Sequence, residues 1–246
     1  MDLTFESGLD GLMQLIGLKG EEAFYANAAD PLHAAFRAKA AVHAGPMGMP
    51  MIWALARAKL KSLSTQTPHG DALTYIHVPF CKTRCLYCMF YQNPYKDDLA
   101  DRYTDLLVRE MQSWPDRAVQ RDARIRALYL GGGTPSALSA ANLSRILKAA
   151  RQYLPLAADC EITLEGRVHD MTAERLDAAA AGGVNRVSLG VQTFNDEIRH
   201  AMQRIDGRDE IFKRLELLST YRGIASVIDL IYGFPMQTES VGENDV

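Results

Sequence analysis

Cys81, Cys85 and Cys88 fall in the run His77-Val78-Pro79-Phe80-Cys81-Lys82-Thr83-Arg84-Cys85-Leu86-Tyr87-Cys88-Met89-Phe90-Tyr91. Their spacing, C-x3-C-x2-C, offers three thiolates from one short loop. Three thiolates suit a cubane iron–sulfur cluster that keeps one iron free of protein ligand, and a free iron can take a small molecule. A structural zinc site would want four nitrogen or sulfur ligands. His77 is near, but in a predicted strand, and its side chain would have to turn back toward the loop. Three cysteines near helical spacing could also be an apolar helix face. Pro79 before the run and aromatic residues after it fit a loop better.

Gly131-Gly132-Gly133-Thr134-Pro135 is the second chemical signal. Glycines let a backbone approach a ligand closely, and exposed N–H and C=O groups can grip an amino-acid moiety. The same run could be only a tight strand-to-helix turn. It is not a nucleotide-binding P-loop, because no Gly-Lys-Ser/Thr follows. Glu165 and Asp229 end predicted strands, where they could cap helices or bind a polar ligand such as a ribose.

The elements that must position these groups begin at Leu73. Leu73–Val78 reads as a strand that stops at Pro79, just before the cysteines, and Asp97–Trp114 as a helix with an apolar face. Strands follow at 127–130, 161–165, 187–192 and 227–232. Between them lie a helix capped by Ser139, a helix over 172–181 stopped by Gly182-Gly183, and a helical segment containing Ile211, Leu215 and Leu218. Alternating strands and helices predict an α/β fold with a parallel sheet and right-handed crossovers. Ligands in such folds lie at the carboxyl ends of the strands, so the cysteine loop, Gly131–Thr134, Glu165, Gln192 and Asp229 should meet on one rim. Residues 1–70 read as a helical leader (pieces over 21–27, 31–42 and 52–63) with a glycine- and proline-rich break at 44–50. Residues 71–246 read as the core. Few elements follow the fifth strand, which predicts that the last βα units of a barrel are missing.

Composition narrows the class. The chain has 246 residues, 48% of them hydrophobic and 23% charged, enough for one large domain with a buried core. A net charge of −3 gives no nucleic-acid footprint. No apolar stretch is long enough to span a membrane, and the amino terminus lacks the pattern of a signal peptide. Three of the four cysteines crowd one loop, which argues against disulfides and for a reducing, cytoplasmic setting. Cys160, in the predicted third strand region, reads as a buried, inert thiol.

The cysteine loop, the triple-glycine turn, the run 184–194 and Asp229-Leu230-Ile231-Tyr232-Gly233-Phe234-Pro235 resemble the radical S-adenosylmethionine (SAM) enzymes. The match is closest to the branch that contains oxygen-independent coproporphyrinogen dehydrogenase. It covers roughly residues 74–238, several motifs in the right order. Within that branch, 30–36, 42–46 and Met89-Phe90-Tyr91-Gln92-Asn93 resemble the heme-utilisation proteins, anaerobic heme-degrading methyltransferases. The coproporphyrinogen enzymes keep another cysteine where this chain has Phe90.

The resemblance implies a partial (βα) barrel in which Cys81, Cys85 and Cys88 hold three irons of a [4Fe–4S] cluster. SAM would chelate the fourth iron. Gly132, Gly133 and Thr134 would meet its methionyl part. Glu165, Gln192, Arg204 and Asp229 would line the rest of its site, with Tyr75 and Tyr87 packing near. One electron would cleave the sulfonium and yield a carbon radical. Cluster potentials span roughly −700 to +450 mV, and this reaction needs the low end. The implied partners are heme or a related tetrapyrrole and a low-potential donor (flavodoxin, ferredoxin or reduced flavin), with no nucleic acid and no membrane. Oxidative decarboxylation of coproporphyrinogen and heme trafficking without turnover are the alternative activities in the branch. His33 and His43 are weaker candidates for contact with heme iron.

Overall fold

Residues 53–66, 70–88, 91, 93–117 and 123–246 are described by the structure, a computed structural model. The leader pieces over 21–27 and 31–42, the break at 44–50, His33, His43 and Phe90 lie outside them. A helix, α1 (Trp53–Ser64), precedes the sheet and matches the third predicted leader helix.

The sheet follows from side-chain alternation. Among the described residues, five parallel strands pair in the order β1 (Asp71–Val78), β4 (Arg124–Gly132), β5 (Leu156–Gly166), β6 (Arg186–Gln192) and β7 (Ala225–Leu230). The order runs one way along the chain, with no reversal. A doubly wound sheet would reverse at a switch point, whereas this sequence of crossovers curls as a barrel does. A two-stranded ribbon, β2 (Phe80–Cys81) with β3 (Asn93–Pro94), holds the first cysteine beside this arc.

One face of β1, β4, β5 and β6 is apolar and covered by helices, whereas β7 at the end of the sheet has no buried residue. Ile76 and Val78, Leu128 and Leu130, Ile162 and Leu164, and Val187 and Leu189 are buried there. Against them pack α2 (Asp97–Gln112), α3 (Ala140–Tyr153), α4 (Ala173–Ala181) and α6 (Arg208–Ser219) through residues such as Ala100, Leu143, Ile146, Leu176 and Ile211. The opposite face carries Tyr75, His77, Tyr129, Glu165, Ser188 and Asp229. Parallel strands covered on both sides are usually apolar on both faces. A polar concave face therefore marks the side on which a ligand lies.

Helix ends follow the predicted chemistry. Ser139 caps α3 through Asn142 N–H at 3.2 Å, and Thr172 caps α4 through Arg175 N–H at 3.4 Å. Gly183 (φ +85°) turns the chain out of α4, and Val184 N–H returns to Ala179 O at 2.9 Å.

Several boundaries differ from the sequence reading. Gly131 and Gly132 belong to β4 and pair with His77 and Val78, so only Gly133 and Thr134 form the turn. Strand β5 starts five residues earlier than expected, at Leu156. Strand β7 stops at Leu230, and Tyr232 is 92% exposed. Gln192 explains the early stop: its φ of +76° and the register shift between Gly190 and Gln192 turn the ladder, and Ile231 N–H bonds back to Gln192 O at 2.9 Å. A short helix, α5 (Asp196–Ala201), was not anticipated.

Arg199 on α5 is fully buried. Its guanidinium donates to Asp206 O at 2.5 Å, Val191 O at 2.5 Å and Thr193 O at 2.9 Å, bracketing the turn between β6 and α6. Burial, with the nearby Arg204 charge, pulls its pKa down to about 10, so it stays charged at neutral pH. Arg199→Met should leave three inward carbonyls without a donor and cost about 3 kcal/mol in a denaturant melt of the cofactor-free chain.

Candidate functional site

The cysteine loop is tied down at both ends. Tyr103 OH donates to His77 O at 2.7 Å, and Phe80 meets Tyr103 and Tyr95 edge-on, with ring centroids 5.5 and 6.5 Å apart. Tyr95 N–H bonds Cys81 O at 2.9 Å, and Leu86 N–H bonds Met202 O at 3.2 Å. Cys88 N–H closes a tight turn onto Cys85 O at 3.1 Å. Lys82 reaches the buried Asp170 at 2.6 Å.

These ties turn all three thiols into one cavity. It encloses about 180 Å³, and its open mouth brings the free volume to about 740 Å³. Tyr87 lines it from the loop, and Gly132, Gly133 and Thr134 from the end of β4 and the turn after it. Glu165 lines it from β5, Gln192 from β6, Arg204 from the turn before α6, and Asp229 from β7. The strand ends thus converge with the cysteines on one rim.

Tyr75 is the predicted site residue that does not line this cavity. Its ring stacks on Tyr129, with centroids 6.0 Å apart, and its hydroxyl lies 3.3 Å from His77 Nδ1. It stands lower on the concave face, behind Gly131. His77 is turned toward Gly132 and also stays off the cavity lining. Cys160 is buried in the core and separate from the site.

Polar contacts inside the cavity favour negative charge. Thr134 Oγ1 donates to Cys81 Sγ at 3.4 Å, and Arg204 Nη1 donates to Cys85 Sγ at 3.4 Å. The second terminal nitrogen of the same guanidinium, Nη2, donates to Gly190 O. Burial pushes the Cys81 thiol up, against the Thr134 bond and the Arg167 charge, which favour thiolate. Burial likewise raises Tyr87 and keeps its hydroxyl neutral. Among the described residues, no three His, Cys, Asp or Glu side chains gather as ligands of a single metal ion. A cubane makes no such demand, since each thiolate binds its own iron.

Glu165 accepts from Gly132 N–H at 3.3 Å. Burial raises its carboxyl above the ordinary range, outweighing the Gly132 bond; Asp229 adds to the rise and His77 opposes it. Tyr75 and Tyr129 also face it. A raised carboxyl stabilises fully below the ordinary pKa of about 4.5, and that contribution is lost as pH climbs through the raised value. Glu165→Gln keeps an acceptor for Gly132 without the charge. It should raise the melting temperature of the cofactor-free chain by about 2–4 °C at neutral pH, with the gain shrinking in mild acid.

Arg167 also lines the cavity and was not foreseen. It follows Glu165 by two residues, just past the predicted strand end, where an arginine looks like an ordinary loop charge.

The radical SAM superfamily model matches residues 75–243. The chain belongs to the radical SAM superfamily. It is 45% identical over 174 residues to anaerobilin synthase of Escherichia coli O157:H7, covering 71% of this chain and 39% of that protein. Against the heme chaperone HemW of Escherichia coli K12 the identity is 36%, covering 69% of this chain and 45% of the relative. The solved coproporphyrinogen III oxidase (HemN) of Escherichia coli superposes with a TM-score of 0.67 at 32% identity, covering 77% of this chain and 43% of that one. The chain therefore spans less than half the length of these relatives.

The cofactors of this radical SAM protein are a [4Fe–4S] cluster and SAM, as in the rest of the family. The residues present fit such groups: three thiols lining one cavity, buried N–H donors on Arg167 and Arg204 with no partner among the described residues, and a glycine turn with no side chain to intrude. Among the described residues no helix is long and apolar enough to cross a membrane.

Proposed function

We propose that this chain is the cluster- and SAM-binding part of an enzyme that methylates and opens heme without oxygen, freeing its iron. The observation that carries the reading is the shared cavity: Cys81, Cys85 and Cys88 face the same space as Gly133, Thr134, Glu165, Arg204 and Asp229. The 45% identity to anaerobilin synthase supports heme as the substrate class over coproporphyrinogen. Phe90, where the coproporphyrinogen enzymes keep a further cysteine, supports it as well.

In this reading the three cysteines hold the cluster. The bound cofactors supply one-electron cleavage of the sulfonium. The chain's own residues bind and orient. Gly133 and Thr134 hold the methionyl end of SAM, Arg204 balances its carboxylate and the Cys85 thiolate, and Glu165, Gln192 and Asp229 grip the polar atoms of the rest. Tyr87, neutral and half-buried, closes the loop side against water. Electrons come from a low-potential carrier such as a flavodoxin, a ferredoxin or a reduced flavin.

The test is anaerobic reconstitution of the full-length protein with SAM, heme and a strong reductant, followed by mass spectrometry. A methylated linear tetrapyrrole is expected. Intact heme bound without turnover would favour a trafficking role, the one named for the relative at 36% identity. Turnover of coproporphyrinogen instead of heme would replace the proposed substrate.

A further inference from the structure

Arg167 is the first residue after β5 and is only 6% exposed. Its backbone N–H donates to Ser136 Oγ at 3.0 Å, which fixes where the side chain starts. Its Nη1 donates to Thr83 O at 3.1 Å and to the Thr83 hydroxyl, both inside the cysteine loop. Its Nε and Nη2 are buried and have no hydrogen-bond partner among the described residues, while the residue lines the cavity of the three thiols. A guanidinium carries five N–H donors, so three of them, on Nε and Nη2, are left over.

Burying charged donors without acceptors is costly, so an acceptor belongs beside them. The neighbouring carboxylates do not serve. Asp206, whose charge feels Arg167, is bonded to His169 Nδ1 at 3.0 Å, Asp170 gives its Oδ1 to Lys82 at 2.6 Å, and neither accepts from Arg167. Arg167 makes no ion pair with Glu165 or Asp229, although both line the same cavity. The acceptor must come from what fills the space. A cubane with three thiolates is anionic, rich in sulfur acceptors, and gains further negative charge on reduction. Hydrogen bonds and positive charge near its sulfurs favour the reduced form.

We propose that Arg167 is a positioning residue for the cluster, donating from Nε and Nη2 to its sulfur while Nη1 fixes Thr83, and so raises its reduction potential. The inference rests on the reading of the three cysteines as cluster ligands. It gives the site two guanidiniums with separate tasks: Arg204 touches Cys85 Sγ from the β6 side, and Arg167 reaches the cavity from the β5 side while gripping the loop between Cys81 and Cys85.

The test is an anaerobic redox titration of the reconstituted full-length protein without SAM, read by electron paramagnetic resonance of the reduced cluster. Arg167→Gln should keep a full complement of iron and sulfide. At a fixed potential its ratio of reduced to oxidised cluster should fall about tenfold, equivalent to about 59 mV for a one-electron couple. Arg167→Lys has a single head group that cannot serve both Thr83 and the cluster, so it should shift in the same direction by about threefold. A loaded Arg167→Gln protein with wild-type potential would overturn the proposal, even if its SAM affinity fell. Should the glutamine variant fail to assemble a cluster, an unchanged potential in the lysine variant would overturn it equally. Wild-type protein that takes up no cluster would defeat the cysteine reading itself, a different result from either of these.

Discussion

Cys85→Ala is expected to remove the iron–sulfur absorbance at about 400 nm and to lower bound iron from about four atoms per chain to less than one. SAM cleavage should disappear with it. The thiol is buried, faces the cavity and accepts from Arg204 at 3.4 Å, so its loss removes one of the three ligands and one acceptor of Arg204, whose Nη2 keeps Gly190 O. The loop itself should survive. The turn that returns Cys88 N–H to Cys85 O, the Leu86 bond to Met202 O and the Tyr95 bond to Cys81 O are all backbone contacts. The change in the melting temperature of the cofactor-free chain should therefore be small, about 1 kcal/mol or less in stability. Cys160→Ala is the matched control: it removes an equally buried thiol from the core, outside the cavity, and should leave cluster content unchanged. A full cluster in Cys85→Ala would defeat the ligand assignment.

What the sequence disclosed about this site depended on how local each signal is. The cysteines occupy one loop, and the glycine turn is contiguous, so spacing alone exposed both. Ser139 was readable as a cap because capping needs only a side-chain oxygen in front of a periodic helix, whereas Thr172, read as the first helical residue, is the cap of α4. Arg167 escaped because its meaning is not local: it bonds Thr83, distant in sequence, and only the fold brings the two together. Tyr75, which the resemblance puts near the cofactor, pairs with Tyr129 in the β1–β4 register and stacks on it, beside Glu165 and off the cavity lining. Helix α5 spans only six residues, too few to show a helical period. The start of β5 hid behind Pro155 and the exposed Asp159, since a strand that begins at the solvent edge carries no buried alternation to read.

Gly133→Ala should disable the site while leaving every cysteine in place. A Cβ at this position would lie 2.7 Å from Phe80 O, 3.0 Å from Phe80 C and 3.0 Å from Cys81 Sγ. Two of those atoms are backbone, and neither strand can easily retreat: Gly133 N–H bonds Val78 O at 2.8 Å, and Tyr95 N–H bonds Cys81 O at 2.9 Å. The methyl group must therefore push β2 and Cys81 away, stretching the 3.4 Å contact between Thr134 Oγ1 and Cys81 Sγ. Such crowding costs about 1–3 kcal/mol in a packed interior. The larger effect should fall on the cluster, because a displaced Cys81 no longer shares a cubane's geometry with Cys85 and Cys88. Iron content should drop to less than about half of wild type, and the remainder should be lost quickly to a chelator. Gly223→Ala meets no atom within 4 Å and should change neither stability nor iron content appreciably. If Gly133→Ala held a full, chelator-resistant cluster, the close approach of the β4 turn to the cysteine loop would not be what fixes Cys81. The glycine would then serve only SAM. If the cluster is lost as expected, the absent side chain at Gly133 is as much a condition for the cluster as the thiols are, because it lets the rim of the barrel close onto the loop that carries them.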